Sequence, residues 1–230
     1  MAPLGIRLPK PRLVLVDLDG TMVDSAPDLA YCLDATLGEL DLPTRGQEAV
    51  RSWVGNGMER LLHRALTGAL EGVADPVLYA KAWPIFAALY AVHTNRRTIV
   101  YEGVREGLDA LIQLGFPLVC VTNKHTRFAV PLLEDLGLAS CFRLLVAGDT
   151  LPYQKPDPRP LLYAMQHFQT PPEHCLMVGD SINDVVAARA AGCAIVCVGY
   201  GYNHGEDIRT AAPDAVVDSI MEVAHMLTPE

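Results

Sequence analysis

The 230-residue chain has few positive charges and no long hydrophobic run. Lysine and arginine number 18 against 27 aspartates and glutamates, which gives a formal net charge of −9. Proteins that bind DNA or RNA neutralise phosphates with Lys and Arg, so we expect no nucleic-acid partner. The N-terminal segment reaches Asp17 after only a short apolar run, Leu13–Val16, which is too short for a signal peptide or a membrane span. We therefore expect a cytoplasmic protein with no membrane partner.

Common cofactor motifs are also missing. The six cysteines form no CxxC pair, which argues against zinc or thioredoxin chemistry and favours buried thiols in a reducing compartment. No GxxxxGK[ST] segment occurs, which excludes a P-loop ATPase, and Gly199-x-Gly201 lacks the spacing of a dinucleotide-binding loop. Any anionic substrate must therefore be held by a few local cations, a metal ion or backbone amides.

Short apolar runs alternate with helical segments along most of the chain. Continuous apolar runs of this length are typical of strands buried on both faces of a parallel sheet. The alternation predicts an α/β fold with helices covering both faces of a Rossmann-like sheet. The predicted strands are 13–16, 117–121, 144–147, 175–178, 194–198 and 215–217, and the predicted helices between and after them are 104–114, 129–136, 160–168, 185–191 and 220–227.

A helical block interrupts this rhythm after the first strand. Between Ser25 and Arg97 no segment has a convincing strand pattern, and apolar residues recur at helical spacing. We predict helices at 26–40, 47–52, 58–67 and 76–93. The expected organisation is a core built from residues 1–24 and 98–230, with residues 25–97 inserted as a separate helical domain.

Two carboxylates follow the first strand in the segment Asp17-Leu18-Asp19-Gly20-Thr21. Ligands of open α/β sheets bind beyond the carboxyl ends of the strands, where this segment lies. Two carboxylates in different environments can divide nucleophilic and proton-transfer duties. The alternatives are a simple acidic turn or an EF-hand fragment, and the latter fails because Met22 stands where the loop needs glycine.

Three further polar segments follow or lie between strands. Gly179-Asp180-Ser181-Ile182-Asn183-Asp184 supplies hard oxygen ligands of the kind that Mg²⁺ prefers, although one of these residues alone would serve as a helix cap. The pair Thr122-Asn123 follows the strand PLVCV, and Lys155 precedes Pro156. A hydroxyl and a lysine at such positions suit a phosphoryl group, but each signal is weak by itself.

The order of the four segments resembles the haloacid dehalogenase superfamily over essentially the whole chain. Asp-x-Asp-x-Thr, Thr, Lys-Pro and Gly-Asp-x-x-x-Asp occur in that superfamily's order, and the helical block matches its mobile cap. Further segments resemble the bacterial phosphoglycolate phosphatases within it: Asp24-Ser25-Ala26-Pro27, Trp53-Val54-Gly55-Asn56-Gly57, Thr122-Asn123-Lys124 and Gly199-Tyr200-Gly201-Tyr202-Asn203. Met22 and His125 depart from the usual pattern of that group.

The resemblance implies Mg²⁺-dependent hydrolysis of 2-phosphoglycolate. It assigns Asp17 as the nucleophile that forms an aspartyl-phosphate and Asp19 as the general acid and base. It gives the metal to Asp17, Asp180 and the backbone carbonyl of Asp19. It gives the phosphoryl group to Thr122, Asn123 and Lys155.

A carboxylate on the leaving group would also need a cation. Arg60 and Arg64 in the helical block are the candidates from the sequence, against the alternative that both lie on a solvated helix face.

Other activities remain open from the sequence. The same machinery serves phosphatases of other small esters, such as sugar phosphates, and phosphomutases. A receiver-like signalling module also phosphorylates an Asp on an α/β fold, but a second carboxylate beside the nucleophile suits turnover better than a stored signal. A cap that closes over its site favours a small phosphorylated metabolite as the partner. We expect a monomer or a small homo-oligomer.

Overall fold

A computed structural model describes residues 11–228, which form a central parallel sheet with helices on both faces. In this part of the chain the strands are β1 (Leu13–Val16), β2 (Val23–Asp24), β3 (Ile99–Val100), β4 (Leu118–Val121), β5 (Leu144–Val146), β6 (Cys175–Gly179), β7 (Ala194–Val198) and β8 (Ala215–Val217). Six of them pair in the order β5-β4-β1-β6-β7-β8, and every pairing is parallel. The α/β parallel fold and all six predicted strands are confirmed.

The helices of the described residues are α1 (Ala26–Glu39), α2 (Gly46–Trp53), α3 (Gly57–Thr67), α4 (Pro76–Val92), α5 (Val104–Gln113), α6 (Thr126–Asp135), α7 (Arg159–His167), α8 (Ile182–Ala191) and α9 (Ile220–Leu227). Each predicted helix is present. Within residues 11–228 no helix is both long and apolar enough to cross a bilayer.

Alternate residues of β1 pack into two separate cores, one on each face of the sheet. Val14 and Val16 face α5, α6 and α9, whereas Leu13 and Leu15 face α7 and α8. All four side chains are fully buried, which explains why the strand is a continuous apolar run rather than an alternating one. The two layers hold β1 rigidly at the centre of the sheet, directly before Asp17.

The helical block α1–α4 has an apolar core of its own. Leu29, Leu33, Phe86 and Tyr90 are among its buried members, and the cluster reaches the rest of the protein through Phe128 of α6 and through Tyr202. A short antiparallel pair, β2 with β3, joins the two points where the chain enters and leaves the block. We did not predict this pair, because two-residue strands carry no readable period.

Two helices begin earlier than the periodicity predicts. The prediction placed the start of α6 at 129 and that of α8 at 185, but they begin at Thr126 and Ile182. The added first turns carry polar residues such as Asn183 and Asp184, which break the apolar pattern. The first turn of α8 thus also contributes Asp184 to a polar cluster with Asp17 and Asp180.

Candidate active site

The carboxyl ends of β1 and β4 open onto one cavity beneath the helical block, and the residues that follow β6 lie beside Asp17. The cavity measures about 370 Å³, including its opening to solvent. Polar residues line it from the sheet side, and mostly apolar residues line it from the block: Asp17, Asp19, Thr122, Asn123 and Lys124 on one side, and Leu29, Val54, Gly55, Gly57, Met58 and Leu61 on the other. Segments predicted to carry the chemistry are therefore brought together although up to 163 positions separate them in the sequence, from Asp17 to Asp180.

Asp17 continues β1 and is held on one carboxylate oxygen. Its Oδ1 accepts a hydrogen bond from the Leu18 amide at 2.7 Å and lies 2.8 Å from Lys155 Nζ. Burial raises the pKa of Asp17 to about 7, with Lys155 opposing the shift and Asp184 adding to it. A further cation beside the carboxyl group would lower this pKa and favour the anionic, nucleophilic form.

Asp19 lines the cavity on the same side as Asp17 and has two side-chain donors. Ser25 Oγ donates to its Oδ1 at 2.5 Å, and Lys124 Nζ contacts both carboxylate oxygens at 2.9 Å. Lys124 is 2 % exposed. Burial disfavours its ammonium, but Asp19 and Tyr90 outweigh this and keep the pKa of Lys124 above its usual range. The sequence offered Lys124 only as a neighbour of Asn123, without a role.

Asp180 and Asp184 complete an acidic cluster with Asp17. One carboxylate oxygen from each lies within 4.8 Å of the others. Asp180 accepts from Thr21 Oγ1 and from the Tyr202 amide, both at 2.6 Å. Burial raises the pKa of Asp180 well above its usual value, and the charges of Asp184 and Asp17 raise it further.

Asp184 accepts more hydrogen bonds from the protein than Asp17 or Asp180 does. Its Oδ2 accepts from the amides of Asp180 and Ser181 and from Ser181 Oγ, at 2.9–3.2 Å. Its Oδ1 accepts from Lys155 Nζ at 2.7 Å. It therefore ties the start of α8 to the loop of Lys155, and it leaves Asp17 and Asp180 as the carboxylates with spare acceptor capacity.

The carboxylate oxygens of the acidic cluster fit a hard divalent cation as ligands. Three buried carboxylates, Asp17, Asp180 and Asp184, lie together, and of these three the one ammonium group, that of Lys155, contacts only Asp17 and Asp184. Carboxylate oxygens of this kind are preferred ligands of Mg²⁺ and Ca²⁺. The raised pKa values of Asp17 and Asp180 express the same excess of buried negative charge, which a bound cation would relieve.

Lys155 and Asn123 join the loops that carry the cluster. Lys155 Nζ contacts Asp17 and Asp184 and donates to the Val121 carbonyl at 2.8 Å. Asn123 Nδ2 donates to the carbonyls of Gly55 and Lys155, both at 2.8 Å, and its Oδ1 accepts from the Lys155 amide at 2.9 Å. Both side chains thus link elements that are distant in sequence.

Thr122 lies directly at the end of β4 and is 4 % exposed. Its Oγ1 accepts a hydrogen bond from the Lys124 amide at 3.1 Å, which leaves the hydroxyl proton available to donate. Its place in the lining of the cavity lets that proton reach a ligand.

The two arginines suggested for a substrate carboxylate lie elsewhere. Arg60 donates to the carbonyls of Leu70 and Gly72 and pairs with Glu71. Arg64, only 4 % exposed, donates to carbonyls of Leu70 and Trp53. Neither side chain lines the cavity. Their role is to hold the α3–α4 connection, and the alternative of a solvated face is wrong for Arg64.

The block contacts the core around the cavity through further polar pairs. His125 Nε2 lies 3.0 Å from Glu59 Oε1, and His204 Nδ1 lies 2.9 Å from the Ser52 carbonyl. Glu59 and Ser52 belong to α3 and α2, so each pair joins the helical block to a loop at the edge of the sheet. These contacts hold the block over the site.

Comparison with known proteins shows the family to which the chain belongs. A family model for haloacid dehalogenase-like hydrolases matches residues 11–192. The chain belongs to this family of hydrolases.

Named relatives are more specific. The phosphoglycolate phosphatase of Nitrosococcus oceani is 52 % identical over 221 residues, covering 96 % of this chain and 98 % of the relative. That of Thiobacillus denitrificans is 44 % identical over 217 residues, covering 94 % and 96 %. A crystal structure of a predicted phosphoglycolate phosphatase from Haemophilus somnus superposes with a TM-score of 0.90 at 34 % identity, covering 95 % of this chain and 99 % of that one.

Proposed function

We propose that this chain hydrolyses 2-phosphoglycolate to glycolate and phosphate, with Mg²⁺ as its metal. The observation that carries the proposal is the placement of Asp17 and Asp19 on one cavity, with the acidic cluster beside Asp17. The names of the relatives at 44–52 % identity support the substrate.

In the first half-reaction, the carboxylate of Asp17 attacks phosphorus. Both contacts described for Asp17 fall on Oδ1, which leaves Oδ2 to form the new bond. The bond between phosphorus and the ester oxygen breaks, and the protonated carboxyl of Asp19 gives its proton to the departing glycolate oxygen. The product is an aspartyl-phosphate on Asp17.

In the second half-reaction, Asp19 returns to its starting state. Its carboxylate takes a proton from a water molecule, whose oxygen attacks phosphorus. The bond between phosphorus and Asp17 breaks, which releases phosphate and regenerates the nucleophile. Ser25 and Lys124 orient Asp19 throughout. The Thr122 hydroxyl donates a hydrogen bond to a phosphoryl oxygen. Lys155 keeps Asp17 oriented, and the positive charge of its ammonium attracts the phosphoryl group.

Asp17, Asp180 and the backbone carbonyl of Asp19 would hold the Mg²⁺. The ion supplies positive charge that reduces the repulsion between the anionic nucleophile and the anionic substrate. Asp184 supports this group through Lys155 and the start of α8. Asn123 contributes by fixing the Lys155 loop against Gly55, so we assign its part in phosphate binding to positioning.

Residues 25–97 act in this proposal as a cap that opens for substrate and closes for chemistry, on a core built from residues 1–24 and 98–230. The connections between the two run beside the β2–β3 pair. Closure removes water from the cavity and places the apolar wall of Leu29, Val54, Met58 and Leu61 against the leaving group. A closed cap excludes nucleic acid and membrane surfaces as substrates.

A cytoplasmic location agrees with the cysteines. All six are free thiols, and all but Cys141 are buried. For the oligomeric state, monomer or small homo-oligomer, light scattering coupled to size-exclusion chromatography gives the mass directly.

Phosphate release from a panel of phosphomonoesters tests the activity. We expect 2-phosphoglycolate to be preferred over sugar phosphates, and we expect EDTA to abolish turnover until Mg²⁺ is restored. Asp17→Asn should lose at least about 10³-fold in kcat, because the amide is not a nucleophile. Asp207→Asn, an exposed residue whose side chain is 56 % accessible, is the matched control.

Activity that survives EDTA or the Asp17 substitution would overturn the mechanism. A sugar phosphate that outranks 2-phosphoglycolate would overturn the substrate only.

A further inference from the structure

Lys124 is a buried cation at the edge of the cavity. It follows Asn123 at the end of β4, and its ammonium contacts both oxygens of Asp19 at 2.9 Å. The ammonium also lies 5.1 Å from the centre of the Tyr90 ring, a fully buried side chain of α4. Of the side chains that line the cavity in residues 11–228, Lys124 is the cationic one.

The other nearby cations are engaged elsewhere. Lys155 directs its ammonium at Asp17, Asp184 and the Val121 carbonyl, which accounts for its three donors. Arg60 and Arg64 hold backbone carbonyls of the α3–α4 connection. A negative charge on the leaving group therefore finds one ammonium within the cavity, that of Lys124.

The wall opposite the sheet makes such a charge costly without a partner. Leu29, Val54, Met58 and Leu61 present apolar surface to the space in which a leaving group would lie. A carboxylate enclosed by these side chains needs a cation in direct contact, because burial of an unpaired charge is strongly unfavourable.

The chemistry of the ester fixes where this cation must be. In 2-phosphoglycolate one methylene group separates the carboxylate from the oxygen that Asp19 is proposed to protonate. The cation for the carboxylate must then lie beside Asp19, and Lys124 Nζ does so at 2.9 Å. A cation on a distant part of the cap could not serve so short a leaving group.

We propose that Lys124 is the specificity-determining residue for phosphate esters whose leaving group carries a carboxylate. Its ammonium bridges Asp19 and the substrate carboxylate, and the Tyr90 ring supports it from the cap side. The inference rests on the proposed function and adds the residue that selects the substrate class. With a leaving group that lacks the carboxylate, the Lys124 ammonium contacts Asp19 alone, and the ion pair with the substrate is lost.

The test compares two substrates of nearly the same shape, 2-phosphoglycolate and its neutral amide, phosphoglycolamide. Initial rates of phosphate release give kcat/KM for each with wild type, Lys124→Met and Lys124→Arg. We expect the wild type to prefer the carboxylate by about 10- to 100-fold, the range of a charge-assisted contact. In Lys124→Met this preference should fall to near unity, mainly through KM for 2-phosphoglycolate, and Lys124→Arg should restore part of it.

Ser25→Ala is the matched control, because Ser25 also donates to Asp19 but carries no charge. It should lower both rates by a similar factor and leave the preference intact. If Lys124→Met lowers kcat/KM for both substrates by the same factor, Lys124 only positions Asp19 and the proposal is overturned.

A wild type that hydrolyses both substrates but does not prefer 2-phosphoglycolate to its amide would overturn the proposal for Lys124 and leave the activity in place, whereas a wild type that hydrolyses neither would overturn the proposed function. Should Lys124→Met fail to fold, as judged by circular dichroism, the charge-preserving Lys124→Arg decides. Its preference for the carboxylate must then exceed that of the variant Lys124→Gln.

Discussion

Asp180 is enclosed between two glycines, and an added methyl group at one of them should displace it. A Cβ on Gly201 would lie 2.2 Å from Asp180 Cβ, 2.4 Å from its Oδ2 and 2.5 Å from the Gly20 carbonyl oxygen. Ordinary contacts begin at 3.4 Å, so the carboxylate and the loop must separate by about 1 Å. Because the Tyr202 amide holds the same oxygen at 2.6 Å, the strain falls directly on the proposed metal ligand.

The expected cost of Gly201→Ala follows from that displacement. Overpacking of this kind destabilises a protein by about 1–3 kcal/mol. A misplacement of about 1 Å in a catalytic group costs about 100-fold in rate, equivalent to about 2.7 kcal/mol in the barrier. We therefore expect kcat to fall by about 100-fold and the Mg²⁺ concentration for half-maximal activity to rise by about 10-fold or more.

The assay is phosphate release as a function of Mg²⁺ concentration, together with the melting temperature. Gly199→Ala is the matched control on the same loop, since its nearest new contact would be Val216 Cγ1 at an ordinary 3.5 Å. That variant should stay within about twofold of wild type, because surface and loop changes without a clash have small effects. Wild-type activity and Mg²⁺ dependence in Gly201→Ala would refute the reasoning.

Two further predictions concern contacts between the helical block and the core. Glu59 raises the pKa of His125 above 6.5, and His125 lowers that of Glu59 below 4.5. The pair should therefore stabilise the fold fully between pH 4.5 and 6.5, and its contribution should disappear as pH rises through the pKa of His125 and as pH falls through that of Glu59. We expect the melting temperature of wild type to exceed that of Glu59→Gln by the widest margin near pH 6. The stabilisation by the pair should be below about 1 kcal/mol, because Glu59 is 45 % exposed. An equal difference in melting temperature at pH 6 and pH 9 would contradict the prediction. The second prediction is that Asp28→Ala lowers the free energy of unfolding by about 2–4 kcal/mol, because Asp28 is fully buried and accepts from the amides of Arg97 and Thr98 at 2.8 Å. Urea denaturation measures this, with Glu39→Ala at the exposed last residue of α1 as a comparison, and a loss below about 0.5 kcal/mol for Asp28→Ala would show that these amides find other acceptors.

The sequence was sufficient for the architecture because burial leaves a local pattern. Each central strand is covered on both faces, so its residues are apolar without alternation, and β1, β4 and β6 could be read directly. The polar segments that follow these strands were also predictable as neighbours, since the carboxyl ends of parallel strands share one edge of a sheet. The apolar pattern did not predict the start of α8, because its first turn contains the polar residues Asn183 and Asp184 of the candidate site.

Only the tertiary structure decided which side chains that are distant in sequence contact one another. Lys124 and Asp19 are 105 positions apart, and nothing in either segment indicates that an ammonium will contact that carboxylate. Arg64 was a candidate for substrate binding, but its guanidinium donates to the carbonyl of Leu70 in the α3–α4 connection and to that of Trp53 at the end of α2.

The sequence by itself therefore determined which residue types reach the edge of the sheet. Hydrophobic periodicity and chain order depend on neighbours within a few positions, and both are written in the sequence. Which carboxylate receives which cation, and how closely Gly201 approaches Asp180, depends on distances set by the packing of whole elements. Those distances decide the electrostatics of the site, because charge interactions in a buried cavity change steeply over a few ångströms.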